Sequence, residues 1–258
     1  MGLLGRRGLL ALATATAWRA HAQPAAPAVA AASDLQFALP EGAERFRLET
    51  GIAPRLAFGS SGNFTRQIEQ GAPYELFLSA DESFVRRLVD RGLTQGDGAL
   101  YGIGRLVLVA PRGSPLRPAD GLDGLRAALQ AGRIRRFAIA NPEHAPYGRA
   151  AEQALRAAGL WEVLQRHLVF GENVSQALQF ATVAGAEGGI VALSLVLAPS
   201  VHERVAHTPL PTTLHDPLRQ RMVLTRRAGP AAARFFEYLS GPAAREIMRR
   251  YGFILPDE

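Results

Sequence analysis

The sequence predicts an α/β fold, and three observations carry the prediction. Short apolar runs alternate with stretches of helical periodicity, capping residues and glycines punctuate the helical stretches, and several polar helix starts follow directly on a strand. Strand–helix alternation of this kind builds a mostly parallel sheet covered by helices on both faces.

The chain opens with Arg6 and Arg7, runs through apolar residues 9–17 and reaches Ala20-His21-Ala22. Charge, apolar run and small residues in that order read as a cleaved secretory signal peptide over residues 1–22. The apolar run is well short of the roughly 20 residues needed to span a bilayer, so a soluble periplasmic product is expected. The paired arginines are compatible with the twin-arginine route and with the general Sec route alike. The chain has no cysteine, hence no disulfide framework, no thiolate nucleophile and no lipid-anchoring thiol. The formal charge is +6; without Arg6, Arg7 and Arg19 it falls to about +3, 26 basic against 23 acidic residues. That excess is too mild for a nucleic-acid footprint.

Residues 23–29 read as a Pro/Ala-rich flexible tail, although Ala28–Ala32 is already small and apolar enough for a buried first strand. Further strands are expected at 54–58, 75–79, 106–110, 137–140 and 189–193, with helices at 62–70, 81–91, 147–158, 174–184, 230–239 and 242–251. Phe64 with Ile68, and Phe84 with Leu88, give two of these helices an apolar pair one turn apart. Ser33, Ser79 and Asn173 each stand three residues before a Glu or Gln, as N-caps do. Gly71, Gly92 and Gly159 sit where helices close. Pro40 contradicts a helix begun at Ser33, because an interior proline costs roughly 3 kcal/mol; that helix should kink or stop there.

Enzyme motifs are missing. The sequence holds no G-x-S-x-G elbow, no H-E-x-x-H, no P-loop, and no G-x-G-x-x-G opening a helix after a strand. The histidines are scattered singly, and His144, in the Pro-rich turn 141–148, reads as a structural hydrogen-bonder in preference to a base or metal ligand. What the chain does carry is four polar helix starts directly after strands, at 30–34, 58–63, 145–148 and 172–175. Unpaired amides, the positive end of the helix dipole and small hydroxyls meet at such places and bind anions. Ser79 has the same look and is assigned capping alone. Arg66 and Arg149, one turn inside their helices, are assigned to solvated faces.

Six stretches share one order and spacing with a known family: residues 30–35 (AAASDL), 59–72 (GSSGNFTRQIEQGA), 77–82 (FLSADE), 104–111 (GRLVLVAP), 141–148 (NPEHAPYG) and 171–180 (GENVSQALQF). Over essentially the whole mature chain the sequence resembles the periplasmic molybdate-binding receptors of ABC importers. The resemblance implies a two-lobed periplasmic binding protein-like II fold with the ligand in the interlobe cleft. Lobe one would hold residues 30–110 and 208–258, lobe two residues 111–207. It also implies a monomeric solute-binding protein and not an enzyme. That protein would capture molybdate or tungstate for the membrane permease of an importer, with no cofactor and no nucleic-acid partner. Carried over position by position, the ligand-binding residues are Ser33 and Ser61, through hydroxyl and amide, and Tyr147 and Val174, through their amides. The metal would arrive as its oxyanion, with no direct protein–metal ligand. Two positions depart from the pattern. Asp34 stands where some relatives have Asn, and its carboxylate would repel a dianion, so only its backbone N–H is expected to face the ligand. Ala192 stands where some relatives offer a tyrosine hydroxyl, so that donor is missing or is supplied by Tyr147.

These residue types suit the task. A tetrahedral oxyanion that is fully deprotonated offers only acceptors, and serine hydroxyls with helix-end amides are all donors. Six such bonds, at about 1.5 to 3 kcal/mol each, exceed the roughly 8 kcal/mol of micromolar binding before ordering costs, without an arginine. A phosphate that keeps a proton would bring a donor to a site built without acceptors. Sulfate differs chiefly in size. Another oxyanion is therefore the alternative within receptors, and a hydrolase built on His144 and a serine is the alternative from another class.

Overall fold

The computed structural model describes residues 26–256. The signal-peptide expectation, residues 1–22, lies outside the described residues. Two five-stranded sheets form the two lobes. The first has the order β2-β1-β3-β10-β4, from β1 (Ala28–Ala32), β2 (Arg55–Gly59), β3 (Leu76–Ser79), β4 (Ala99–Gly104) and β10 (Leu218–Leu224). The second has the order β7-β6-β8-β5-β9, from β5 (Leu106–Pro111), β6 (Phe137–Ala140), β7 (Leu168–Gly171), β8 (Gly188–Ala192) and β9 (Val205–Pro209). Helices α1 (Ala38–Thr50), α2 (Ser61–Glu69), α3 (Glu82–Asp90), α10 (Pro230–Ser240) and α11 (Pro242–Arg250) belong to the first lobe. The second lobe holds α4 (Gly121–Gln130), α5 (Pro146–Ala157), α6 (Trp161–Leu164), α7 (Val174–Thr182), α8 (Leu193–Val196) and α9 (Pro199–His202). Among the described residues no helix is long and apolar enough to cross a membrane.

Each sheet is mixed. β1 runs parallel to β2 and β3, but β10 is antiparallel to β3 and β4. In the other lobe β6 runs parallel to β7 and β8, while β5 is antiparallel to β8 and β9. The cause is the double crossing. β5 and β10 are the strands on which the chain enters a lobe from its neighbour, so they start at the cleft and run away from it. The parallel strands end there instead. Ligands in such sheets bind outside the carboxyl ends of the parallel strands, which places the site between the lobes.

Two expected boundaries move. β5 pairs with β8 and β9, so the first crossing falls at Arg105 and not after residue 110. The expected tail through residue 29 is also shorter, because Ala28 and Val29 already pair with Arg55 and Leu56. Side chains alternate across β1, as the strand period of two requires: Val29 and Ala31 pack with Phe46, Leu78 and Phe235 on one face, and Ala30 with Phe64, Phe77 and Val223 on the other. Around Phe137, Ile139, Leu155 and Val191 the second lobe builds its own core.

The helix punctuation is partly as expected. Asn173 caps α7, its side chain accepting from the Gln176 amide at 3.0 Å, but Gln176 reaches back to the amide of Glu172, at 2.7 Å. Gly71, Gly92 and Gly159 all take positive φ just past their helices. Two caps are corrected. Ser33 does not cap a helix; it opens a short 3-10 turn, Ser33–Leu35, whose N-cap is Ala32. Ser79 does not cap α3 either, since Asp81 accepts from the Ser83 amide at 2.7 Å, and the Ser79 hydroxyl donates to the Asp81 carbonyl. Pro40 ends up in the first turn of a new helix, α1, where its missing N–H has no helical partner to lose.

Candidate functional site

Three helices, α2, α5 and α7, aim their N-termini into one cavity between the lobes. Its wall includes Ser33, Asp34, Ser60, Ser61, Tyr147 and Val174 with small apolar residues such as Ala32, Ala80 and Ala145. All five residues expected from the sequence are thus brought together, from four separate loops. The cavity is small, about 10 Å³, far below the roughly 300 to 1,000 Å³ typical of sites for organic ligands, which favours a small ion. The first-turn amides of Ser61, Tyr147 and Val174 have no carbonyl one turn back in their own helices and bond no other backbone group among the described residues. Their helices are nine, twelve and nine residues long, and aligned dipoles place partial positive charge at that end.

The two serines are prepared as donors. Ser60 caps α2 by accepting from the Asn63 amide, which leaves Ser61 free of that duty. The Ser61 hydroxyl oxygen, fully buried, accepts from the Ala80 amide at 3.0 Å. The Ser33 hydroxyl oxygen accepts from the Ser175 amide of the opposite lobe at 3.4 Å. With those lone pairs occupied, each hydroxyl keeps its proton for an acceptor in the cavity. Replacing either serine by alanine is expected to weaken anion binding by about 1 to 3 kcal/mol, and isothermal titration of the two variants checks it. Unchanged affinity in both would remove them from the site.

Asp34 is the electrostatic oddity. Its carboxylate is buried, and Oδ2 accepts from the Tyr147 hydroxyl at 3.0 Å and from Gln220 Nε2 at 2.7 Å. Oδ1 is buried without a hydrogen-bond partner. Burial pushes the Asp34 pKa up to about 6, against the lowering pull of the hydrogen bonds from Gln220, Tyr147 and its own amide. The same burial, with the Asp34 charge nearby, holds the Tyr101 and Tyr147 hydroxyls well above the usual phenol range.

Two expectations change here. The Tyr147 hydroxyl does not substitute for a tyrosine at position 192: it donates to Asp34 and accepts from Gln220 Nε2 at 3.1 Å, so only the Tyr147 amide is left for the cavity. Ala192 itself lies in β8, opposite Leu106, and is not part of the cavity wall. Nor is the lining free of acceptor residues, because Asp34 is part of it.

Several contacts bridge the lobes. The Gly62 amide donates to the His144 carbonyl at 3.0 Å, and His144 Nδ1 lies 3.0 Å from the Ser60 hydroxyl. The Ser194 hydroxyl donates to the Asp34 carbonyl at 2.8 Å. Ser175 donates to Gln36, and Asn63 to Glu172. Arg149, expected on a solvated face, donates to Asp81 at 2.7 Å and lies over the Phe84 ring, so it joins the two lobes. Arg66 remains exposed and binds Asn63 of its own helix. Sequence reasoning missed Gln220, Tyr101 and Ser194. Gln220 is 186 residues from Asp34, and nothing in a strand reading LRQRMVL singles out its glutamine.

Two lobes crossed twice by the chain, with helix ends and hydroxyls facing each other across the cleft, define a two-lobed solute receptor. The chain belongs to the bacterial extracellular solute-binding protein family, whose model it matches over residues 27–254; that is a family of binding proteins and not of enzymes. It is 35% identical over 235 residues to the molybdate-binding protein ModA of Azotobacter vinelandii, covering 90% of this chain and 91% of that protein. To ModA of Escherichia coli K12 the identity is 34% over 250 residues, 95% of each. Among solved structures, the periplasmic molybdate-binding protein of Azotobacter vinelandii superposes with a TM-score of 0.81 at 31% identity, covering 89% of this chain and 99% of that one.

Proposed function

We propose that this protein captures molybdate, or tungstate, in its interlobe cleft and delivers it to the membrane permease of an ABC importer. The observation that carries the reading is the donor set: two serine hydroxyls with their acceptor sides occupied, and three helix-end amides, converge from both lobes on a small cavity whose wall contains no arginine. The relatives named as molybdate-binding proteins support the choice of anion. Ser33, Ser61, Tyr147 and Val174 hold the oxyanion through hydrogen bonds, with no bond from protein to metal, and the lobes close on it. The protein works as an exported periplasmic monomer without cofactor, catalytic turnover or nucleic-acid partner.

A second reading has one observation in its favour. The partnerless Asp34 Oδ1 is an acceptor, which suits an oxyanion that keeps a proton, such as hydrogen phosphate. Thermal unfolding of residues 23–258 with molybdate, tungstate, sulfate and phosphate separately in excess decides between them. Ligand at 100 times its dissociation constant adds about 2.7 kcal/mol, or roughly 5 to 10 °C at this size. A shift with molybdate and tungstate alone is the expected result. A shift with phosphate or sulfate instead would overturn the choice of anion.

A further inference from the structure

Asp34 is a buried carboxylate in the wall of a cavity otherwise built to hold an anion. The tertiary structure surrounds it with neutral groups. Of the elements packed on the turn Ser33–Leu35, α7 and α8 contain no ionisable side chain, and β2 brings only Arg55, at its far end. Helix α5 presents Tyr147 to the carboxylate, while its Arg149 is paired with Asp81. From β10 comes neutral Gln220, and the flanking Arg219 and Arg221 both pair with Glu82. Tyr101, on β4, bonds Gln220 and not Asp34. Among the described residues the carboxylate's hydrogen-bond partners are the neutral Tyr147 and Gln220 and no ion pair forms on it, and a dianion in the same cavity would add two more negative charges beside it.

Resting on the assignment of molybdate as ligand, we infer that closure on the anion is coupled to uptake of one proton by Asp34. A proton from solvent bonds to Oδ1, the oxygen with no partner, and the side chain passes from one negative charge to none. Oδ2 keeps its bonds from Tyr147 and Gln220. Protonation removes the repulsion and turns a buried acceptor without a partner into a donor. Because Tyr147 and Ser194 come from lobe two and Asp34 from lobe one, this environment is completed only when the lobes meet, which makes the proton a partner in closure.

The sign follows from linkage. The closed, anion-bound form holds more protons than the open form, so affinity falls as pH rises, by up to about tenfold per pH unit where a full proton is taken up. The effect spans the interval from the ordinary carboxylate value of 3.8 up through the raised value of about 6, and extends upward as the anion's charge raises it further. The test is titration calorimetry with molybdate at pH 5, 6 and 8, repeated at pH 6 in Mes and in Bis-Tris, whose ionisation heats differ. For the natural sequence an overall loss of at least tenfold and a heat that depends on buffer are expected. Asp34→Asn, which keeps an oxygen for Tyr147 and Gln220, should bind with pH-independent affinity and buffer-independent heat. Molybdate binding with flat affinity and equal heats in the natural protein would overturn the inference alone, whatever the folding of the variant. The same slope in the folded variant would overturn it too. Absence of molybdate binding at every pH would overturn the choice of anion, and this inference with it.

Discussion

Gly62→Ala is expected to leave the protein folded and to weaken anion binding by about 100-fold. A Cβ at position 62 would stand 2.7 Å from the His144 carbonyl oxygen and 3.0 Å from its Cα. Both are backbone atoms of the opposite lobe. Within its own helix the change costs nothing, because alanine favours a helical position over glycine by about 1 kcal/mol. The clash exists only when the lobes meet, so its cost falls on the closed state alone, at the upper end of the 1 to 3 kcal/mol typical of overpacking. Loss of the Gly62 amide's bond to His144 acts in the same direction. Circular dichroism with calorimetric titration checks both halves. Native affinity in Gly62→Ala would mean that the liganded lobes do not meet at this point.

Gln220→Leu should lower stability by about 2 to 4 kcal/mol, or roughly 5 to 15 °C in melting temperature. Gln220 is fully buried in the first lobe, accepts from Tyr101 at 2.7 Å and donates to Asp34 and Tyr147. Leucine has similar bulk but no polar atoms. Tyr101 would keep only its 3.2 Å bond to the Ser79 carbonyl, and the Asp34 carboxylate would lose its shortest donor. Leaving a buried charge short of partners costs more than the removed bond alone. Thermal unfolding measures it, and a melting temperature within 2 °C of the natural protein would show that solvent takes over Gln220's bonds.

Much of the fold was legible because its signals are local. Helical periodicity reports the buried face of α2 through Phe64 and Ile68, and a polar start after a strand reports a helix terminus with free amides. Four strands went unseen: β7 (LVFG) is apolar but only four residues long, and β4, β9 and β10 lack a clear signal. β4 (ALYGIG) holds two glycines, β9 (VAHTP) carries a histidine and ends in proline, and β10 (LRQRMVL) begins with three polar residues in its first four positions. Their pairing is stabilised by neighbours far away in sequence, as β propensity commonly is.

The sequence by itself determined which residues could meet an anion. The helix starts at 30–34, 58–63, 145–148 and 172–175 were identifiable because each follows a strand and leaves unpaired donors, and the resemblance to molybdate-binding receptors singled out Ser33, Ser61, Tyr147 and Val174 within them. Tertiary structure alone decided what each side chain is bound to. Ser61 is a donor because Ala80 occupies its acceptor side, the Tyr147 hydroxyl is spent on Asp34, and Arg149 spans the cleft to Asp81. Asp34 shows the division most plainly: its charge is written in the sequence, but how strongly it holds a proton depends on Gln220, Tyr147 and burial between two lobes. Amide orientation is a local property of the chain, whereas desolvation and hydrogen-bond partnership are set by whatever the fold brings near.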